Sequence, residues 1–188
     1  QGSPHLEVFK KKKLDVLFLT DPIDTFWLSM ASEFQDRKFV SITKGDIDLT
    51  GFSDDKKEKD KKPPAGMKGL VEKIKETLGD NVQDVKVSTK LVDSACCLVA
   101  PDTGMDVQME RIMKIQNKDF KGMPRILEVN PDHNIIKKLN KIKDSDKDAL
   151  NDASFLLFDQ AKMVEGELPM DIAKFNQRMS KFLGLALG

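Results

Sequence analysis

Two amphipathic helices at the end of the chain constrain the fold most, because they carry more apolar surface than the end of a small domain can readily hide. The first is expected from about Ser145 to Glu165, with Leu150, Ala153, Leu157, Ala161 and Val164 on one face and Leu156 and Met163 widening it. After a break at Gly166 and Pro169, a second helix repeats Ile172, Phe175, Met179, Phe182 and Ala186 at alternating steps of three and four. Two neighbouring helices cover each other only in part. The simplest cover for the remainder is a second copy of the chain, in a four-helix bundle about a twofold axis. Leu150, Leu157, Ala161, Ile172, Phe175, Met179, Phe182, Leu183 and Ala186 are the residues expected at that homodimer interface.

The rest of the chain must then supply one folded domain or slightly more, since 188 residues can bury a core without disulfides or metal. Its 31 basic and 31 acidic residues cancel, so no long-range field draws it to nucleic acid or an acidic membrane. No apolar run approaches the roughly 18 residues of a membrane span, and the start lacks the basic-then-apolar look of a signal peptide. Cys96 and Cys97 are adjacent within an apolar run, which suits buried thiols in a reducing compartment. The chain opens at Gln1-Gly2 without an initiator Met, as a piece of a longer protein would.

The overall expectation is an α/β chain in two folded parts. Residues 1–50 begin with a short helix, Pro4 to Lys13, signalled by Ser3 before Pro4. The continuous apolar run Asp15 to Thr20 suits a strand buried on both faces of a parallel sheet. A helix from Asp21 to Glu33 and a strand from Lys38 to Thr43 complete a βαβ unit. Residues 51–65 form a charged linker, with five lysines and four acids between Asp54 and Lys62 ahead of Pro63-Pro64. A basic nucleic-acid arm is the other reading, but the interleaved acids cancel most of the field that phosphate binding needs. Residues 66–188 are expected to form a mixed α/β domain. Its elements are a helix from Met67 to Leu78, strands at Val82–Ser88 and Ala95–Ala100, and a helix from Met105 to Ile115. A strand at Arg125–Val129, a helix from His133 to Ile142 and the terminal pair complete it.

Candidate chemistry is sparse. Asp21 and Asp24 stand three residues apart at a strand end, where a metal or acid–base pair could sit; helix capping explains the same residues. Asn130-Pro131-Asp132-His133 admits a metal or general-base reading beside a capping one, although the chain holds only two histidines. A metal-dependent enzyme using Asp21 and Asp24, or Asp132 and His133, is therefore the alternative function. No phosphate-cradling glycine loop and no nucleophilic triad can be assembled, so neither a catalytic residue nor a cofactor or metal ligand is assigned. Met105, Met109, Ile112 and Met113 share one helix face, and methionine suits both a core and an adaptable binding surface.

Three ordered motif groups resemble one family. Asp15-Val16-Leu17-Phe18-Leu19-Thr20-Asp21-Pro22-Ile23-Asp24 with Val40-Ser41-Ile42-Thr43-Lys44 is similar to the end of the middle domain of the ninety-kilodalton heat-shock chaperones. Leu91-Val92-Asp93-Ser94-Ala95-Cys96-Cys97, then Met109-Glu110-Arg111-Ile112-Met113, then Leu127-Glu128-Val129-Asn130-Pro131-Asp132-His133, resemble that family's C-terminal domain in order and spacing. Leu156 to Ala161 and Val164 to Glu167 look most like its bacterial branch. The resemblance implies dimerisation through the last two helices and contact with unfolded client proteins through the Met105, Met109, Ile112 and Met113 face. It implies a further client contact at Phe26, Trp27 and Met30. It places the ATP pocket, with its Mg, in segments outside these residues. The chain ends at Leu187-Gly188 without the acidic terminal peptide of eukaryotic cytosolic members, which matches a bacterial cytoplasmic protein.

Overall fold

The computed structural model describes residues 2–45, 47, 49, 52, 64–101, 107–117, 120 and 122–187. Most of the expected linker and Met105 lie outside them. The chain starts as anticipated: a 3-10 turn, Pro4–Leu6, runs into helix α1, Glu7–Lys11, with Pro4 in its first turn. His5, Leu6, Val8 and Phe9 are buried, and the turn packs on strand β4 (Cys96–Val99) of the later domain.

The βαβ unit does not form. Residues 14–20 have no regular structure, and Leu17 and Phe18 are 75% and 70% exposed. Helix α2, Pro22–Met30, is present, but it leads into a two-stranded antiparallel hairpin, β1 (Glu33–Phe34) with β2 (Arg37–Lys38). The hairpin turn, Gln35-Asp36, takes φ of 47° and 61°, the left-handed pair that a two-residue loop of this hand requires. A continuous apolar run satisfies its backbone as a strand only beside neighbours. Among the described residues nothing pairs with residues 15–20, so the run forms no strand and most of it lies open. Of the expected strand Lys38 to Thr43, only Lys38 is in a strand, and Lys44 makes an isolated parallel bridge to Ala100.

The second part follows the pattern of its residues closely. Helix α3, Met67–Leu78, buries Met67, Leu70, Ile74 and Leu78 at helical spacing and stops at Gly79, whose φ of 56° suits a residue without a Cβ. Strand β3, Val82–Val87, pairs in parallel with β5, Arg125–Val129; β4 pairs with β5 in antiparallel register, Leu98 opposite Leu127. The strand order is β3-β5-β4, so the sheet is mixed and its last strand is central. Both of its faces are covered, which is why β4 and β5 read as unbroken buried runs. Cys96, Leu98, Leu127 and Val129 join the main core with α3, helix α5 (Asn134–Ile142) and helix α6 (Lys147–Val164); Leu91, Cys97, Val99 and Ile126 form a second cluster. Helix α4, Val107–Gln116, lies between β4 and β5 in the chain, and α7, Ile172–Leu187, ends it.

Candidate functional site

Among the described residues, three apolar surfaces and one junction stand out as candidate sites. α7 carries the first surface. At 100° per residue its apolar stripe has two halves. Phe175, Met179 and Phe182 are half-buried, Phe182 against the main core, whereas Ile172, Leu183 and Leu187 fall within about 60° of one another and are open, Leu187 at 88%. Ala186 is also exposed. α6 is different: Leu150, Leu157 and Ala161 are buried in the chain's own core, against α3 and β4, so they present nothing to a second molecule in this arrangement. Of the residues expected at an interface, the open ones lie on α7, and Met163, Val164, Leu168 and Met170 on its approach are exposed as well. The pair is pinned by Asp152 on α6, held by Arg178 at 3.3 Å and Lys181 at 2.7 Å, with the Arg178 guanidinium over the Phe155 ring at 4.4 Å.

The second surface is α4. Met109, Ile112 and Met113 are half-buried, and Ile115 is 81% exposed. Among its described side chains the buried one is Glu110, 4% exposed, whose Oε1 lies 3.6 Å from Nη2 of the buried Arg125. The helix is thus seated through a carboxylate, and its methionine face is only partly covered. Nothing in the spacing pointed to Glu110 or Arg125, since partners fifteen residues apart in separate elements leave no periodic trace. The third surface lies on and beside α2. Phe26 and Trp27 are about half exposed, Met30 is 89% exposed, and Trp27 meets Phe39 edge to face at 5.6 Å between ring centroids. Ile23, Phe34 and Val40 extend this open patch.

The motifs that invited a catalytic reading serve the backbone. The Asp24 carboxylate accepts the Asp21 N–H at 2.9 Å, the return arm of a capping box. His133, rather than Asn130 or Asp132, caps α5: its Nδ1 accepts the Ile135 N–H at 3.2 Å. Asp132 lies 3.8 Å from Lys137 Nζ. Asn130 is buried, donates to Val92 O and Ser94 O, and accepts the Asp132 N–H in an Asx turn. Among the described residues no group of three or more His, Cys, Asp or Glu side chains could hold a metal ion, and no helix is long and apolar enough to cross a membrane.

The junction joins the first residues to the later domain. The Glu7 carboxylate accepts N–H groups of Val92, Asp93 and Ser94 and the Ser94 hydroxyl, so the turn held by Asn130 is also held from α1. Burial alone would raise the Glu7 carboxyl, but the bond from the Ser94 hydroxyl and the three backbone N–H groups outweigh it and hold it below its ordinary value. The buried Lys90 donates to Lys44 O at 3.1 Å and Gly45 O at 2.6 Å, and lies 3.4 Å from Glu128, which accepts from the Ser88 hydroxyl at 2.6 Å. His5 Nε2 lies 3.0 Å from Glu165 Oε1. Both thiols are free and buried: burial pushes Cys96 up to about 12, and burial followed by the Glu128 charge pushes Cys97 up.

The Hsp90 protein family matches residues 1–188. Chaperone protein HtpG of Mesorhizobium japonicum is 39% identical over 192 residues, covering 100% of this chain and 31% of that protein. Chaperone protein HtpG of Burkholderia ambifaria and that of Burkholderia cenocepacia are each 40% identical over 183 residues, covering 97% of this chain and 28% of theirs. The chain therefore spans about a third of the length of the curated relatives it matches. Matched end to end by one family, and by relatives of such identity, the chain belongs to the Hsp90 family.

Proposed function

We infer that this chain is the self-associating and client-contacting portion of an HtpG-like chaperone, acting in protein folding in the bacterial cytoplasm. The observation that carries the reading is α7, half of whose apolar stripe rests on its own domain while the other half, Ile172, Leu183 and Leu187, stands open beside Ala186. A second copy related by a twofold axis would lay its own α7 on that half-stripe and remove it from water, each protomer offering the same surface. α6 would serve as the buttress of such a bundle, its Leu150, Leu157 and Ala161 holding α7 from within.

The dimer end would act as a hinge, so that closure driven elsewhere in the full-length protein reshapes the space between protomers. Into that space would face the methionine side of α4, Met109, Ile112 and Met113, and the patch around Phe26, Trp27 and Met30. Flexible Met side chains and half-open rings suit many weakly bound apolar segments better than one shaped ligand. The division into residues 1–50, 51–65 and 66–188 belongs to the same reading, with α1 lying across the seam.

The described residues do not fit magnesium and ATP. The carboxylates that could bind the metal are engaged in caps and ion pairs, and no glycine loop offers its N–H groups to phosphates. ATP binding and hydrolysis are therefore assigned to other segments of the full-length protein, and no step here passes through the nucleotide. A metal-dependent enzyme is disfavoured for the same reason.

Light scattering across a dilution series tests the reading, with the chain set beside a version truncated after Glu165. A dimer that becomes monomer on truncation supports it. A monomer at every concentration would overturn self-association through α7.

A further inference from the structure

Arg125 stands at the start of β5 and is buried. Its Nη2 lies 2.6 Å from Glu167 Oε1 and 3.6 Å from Glu110 Oε1. These carboxylates belong to different parts of the molecule. Glu110 seats α4. Glu167 lies in the turn that aims α7, next to Gly166, whose φ is 81°. The same turn is gripped from a second side by His5 through Glu165, and Lys162 Nζ lies 4.0 Å from Glu167. One guanidinium nitrogen thus holds the seat of the methionine face and the aim of the open α7 stripe.

The arrangement is not saturated. Among the described residues Arg125 Nη1 is buried without a hydrogen-bond partner. A buried guanidinium with an unmatched N–H depends strongly on the placement of the partners it does have. Each carboxylate helps to fix the guanidinium for the other, so a shift that draws Glu110 away loosens Arg125 against Glu167, and a turn of the α6–α7 connection that withdraws Glu167 loosens it against Glu110. Extensive apolar packing would damp such loosening, but of the described side chains of α4, Met109, Ile112 and Met113 are only half-buried.

We propose that Arg125 is a positioning residue that couples the seating of α4 to that of the α6–α7 turn, so that occupation of the methionine face biases the aim of α7. Association through α7 then biases α4 by the same factor, because coupling between two binding events is reciprocal. The functional meaning rests on reading these faces as client-contacting and self-associating; the coupling itself does not.

The test is hydrogen exchange read by mass spectrometry on the whole chain, with Glu110→Gln and Glu167→Gln, which keep size and remove charge in separate elements. Glu167→Gln is expected to speed exchange across α4 by at least about fivefold, the lower bound of ordinary coupling. Glu110→Gln is expected to speed it in the turn and the first residues of α7 by a like factor. The double variant should exceed neither single one, since both act through Arg125. Changes confined to the element that carries the substitution would overturn the proposal, as would a uniform rise through β3, β4 and β5, which would mark a purely structural cluster. Exchange needs neither client nor second copy, so a monomeric or client-blind parent chain would sink the functional reading and leave this coupling to be judged on its own result.

Discussion

At the residue scale the chain keeps side chains where the backbone would prefer none. Lys13 ends α1 with φ of 53°, a conformation in which a Cβ crowds the following carbonyl. Lys13→Gly should therefore raise stability by roughly 0.5–1 kcal/mol, net of the added freedom of the unfolded chain, and thermal melting would register it as a rise of about 1–3 °C. Glu7 works the other way, as a residue whose charge is used. Its carboxyl is held low in the folded chain, so its contribution is complete above the ordinary value of 4.5 and fades as pH falls through the lowered folded value. Glu7→Gln should melt earlier than the parent at pH 7, and the gap should close on acidification below about pH 4.5; a gap independent of pH would show that the charge does no work. Neither effect is visible in a string of letters, because Lys13 looks like the lysines before it and Glu7 like any surface acid until a turn conformation and a distant loop are known.

At the element scale, contrast between α6 and α7 decides what the terminal helices do. Both show apolar spacing, but Leu157 lies in the core while Leu183 is 54% exposed. Leu157→Ala should cost about 2–5 kcal/mol, read by chemical denaturation of dilute protein. Leu183→Ser should leave that monomer stability within about 0.5 kcal/mol and shift the dilution midpoint of self-association toward higher concentration. The reverse pattern would place α7 in the core and α6 at the interface. On α4, Met109→Ser with Met113→Ser should weaken capture of an unfolded test protein while the melting temperature and dimer mass hold; unfolding instead would make those methionines core residues.

At the scale of the whole molecule, the first residues and the later domain are fastened by polar groups as much as by apolar ones. His5 reaches Glu165, Glu7 clasps the Val92–Ser94 turn, and Lys90 takes the carbonyls of Lys44 and Gly45. A chain begun at Met67 would uncover the β4 face where Pro4–Leu6 rests, and leave the buried Lys90 ammonium with Glu128 but without its two carbonyls. Leaving such a group short of partners costs about 1–3 kcal/mol. The shortened chain should melt lower than the full one and bind more of an apolar fluorescent dye; equal melting would mean that the seam contributes nothing.

The residues by themselves determined the helices α1 to α7 and the strands β3, β4 and β5, because each carries a capping signal, a local period or an apolar run, often with its own stop signal, such as Gly79 after Leu78. They also carried the family resemblance, which rests on ordered motifs and needs no contacts. What only the tertiary structure decided was pairing. Residues 15–20 have the composition of a buried strand but lie open, since a strand exists only beside another. The sheet is mixed because β5 inserts between β3 and β4, and strand order leaves no mark in local spacing. Which half of the α7 stripe faces water, which carboxylate seats α4 and which arginine joins it to the last turn all depend on groups brought together from distant parts of the chain. Periodicity records the need to bury a face and is silent about what buries it.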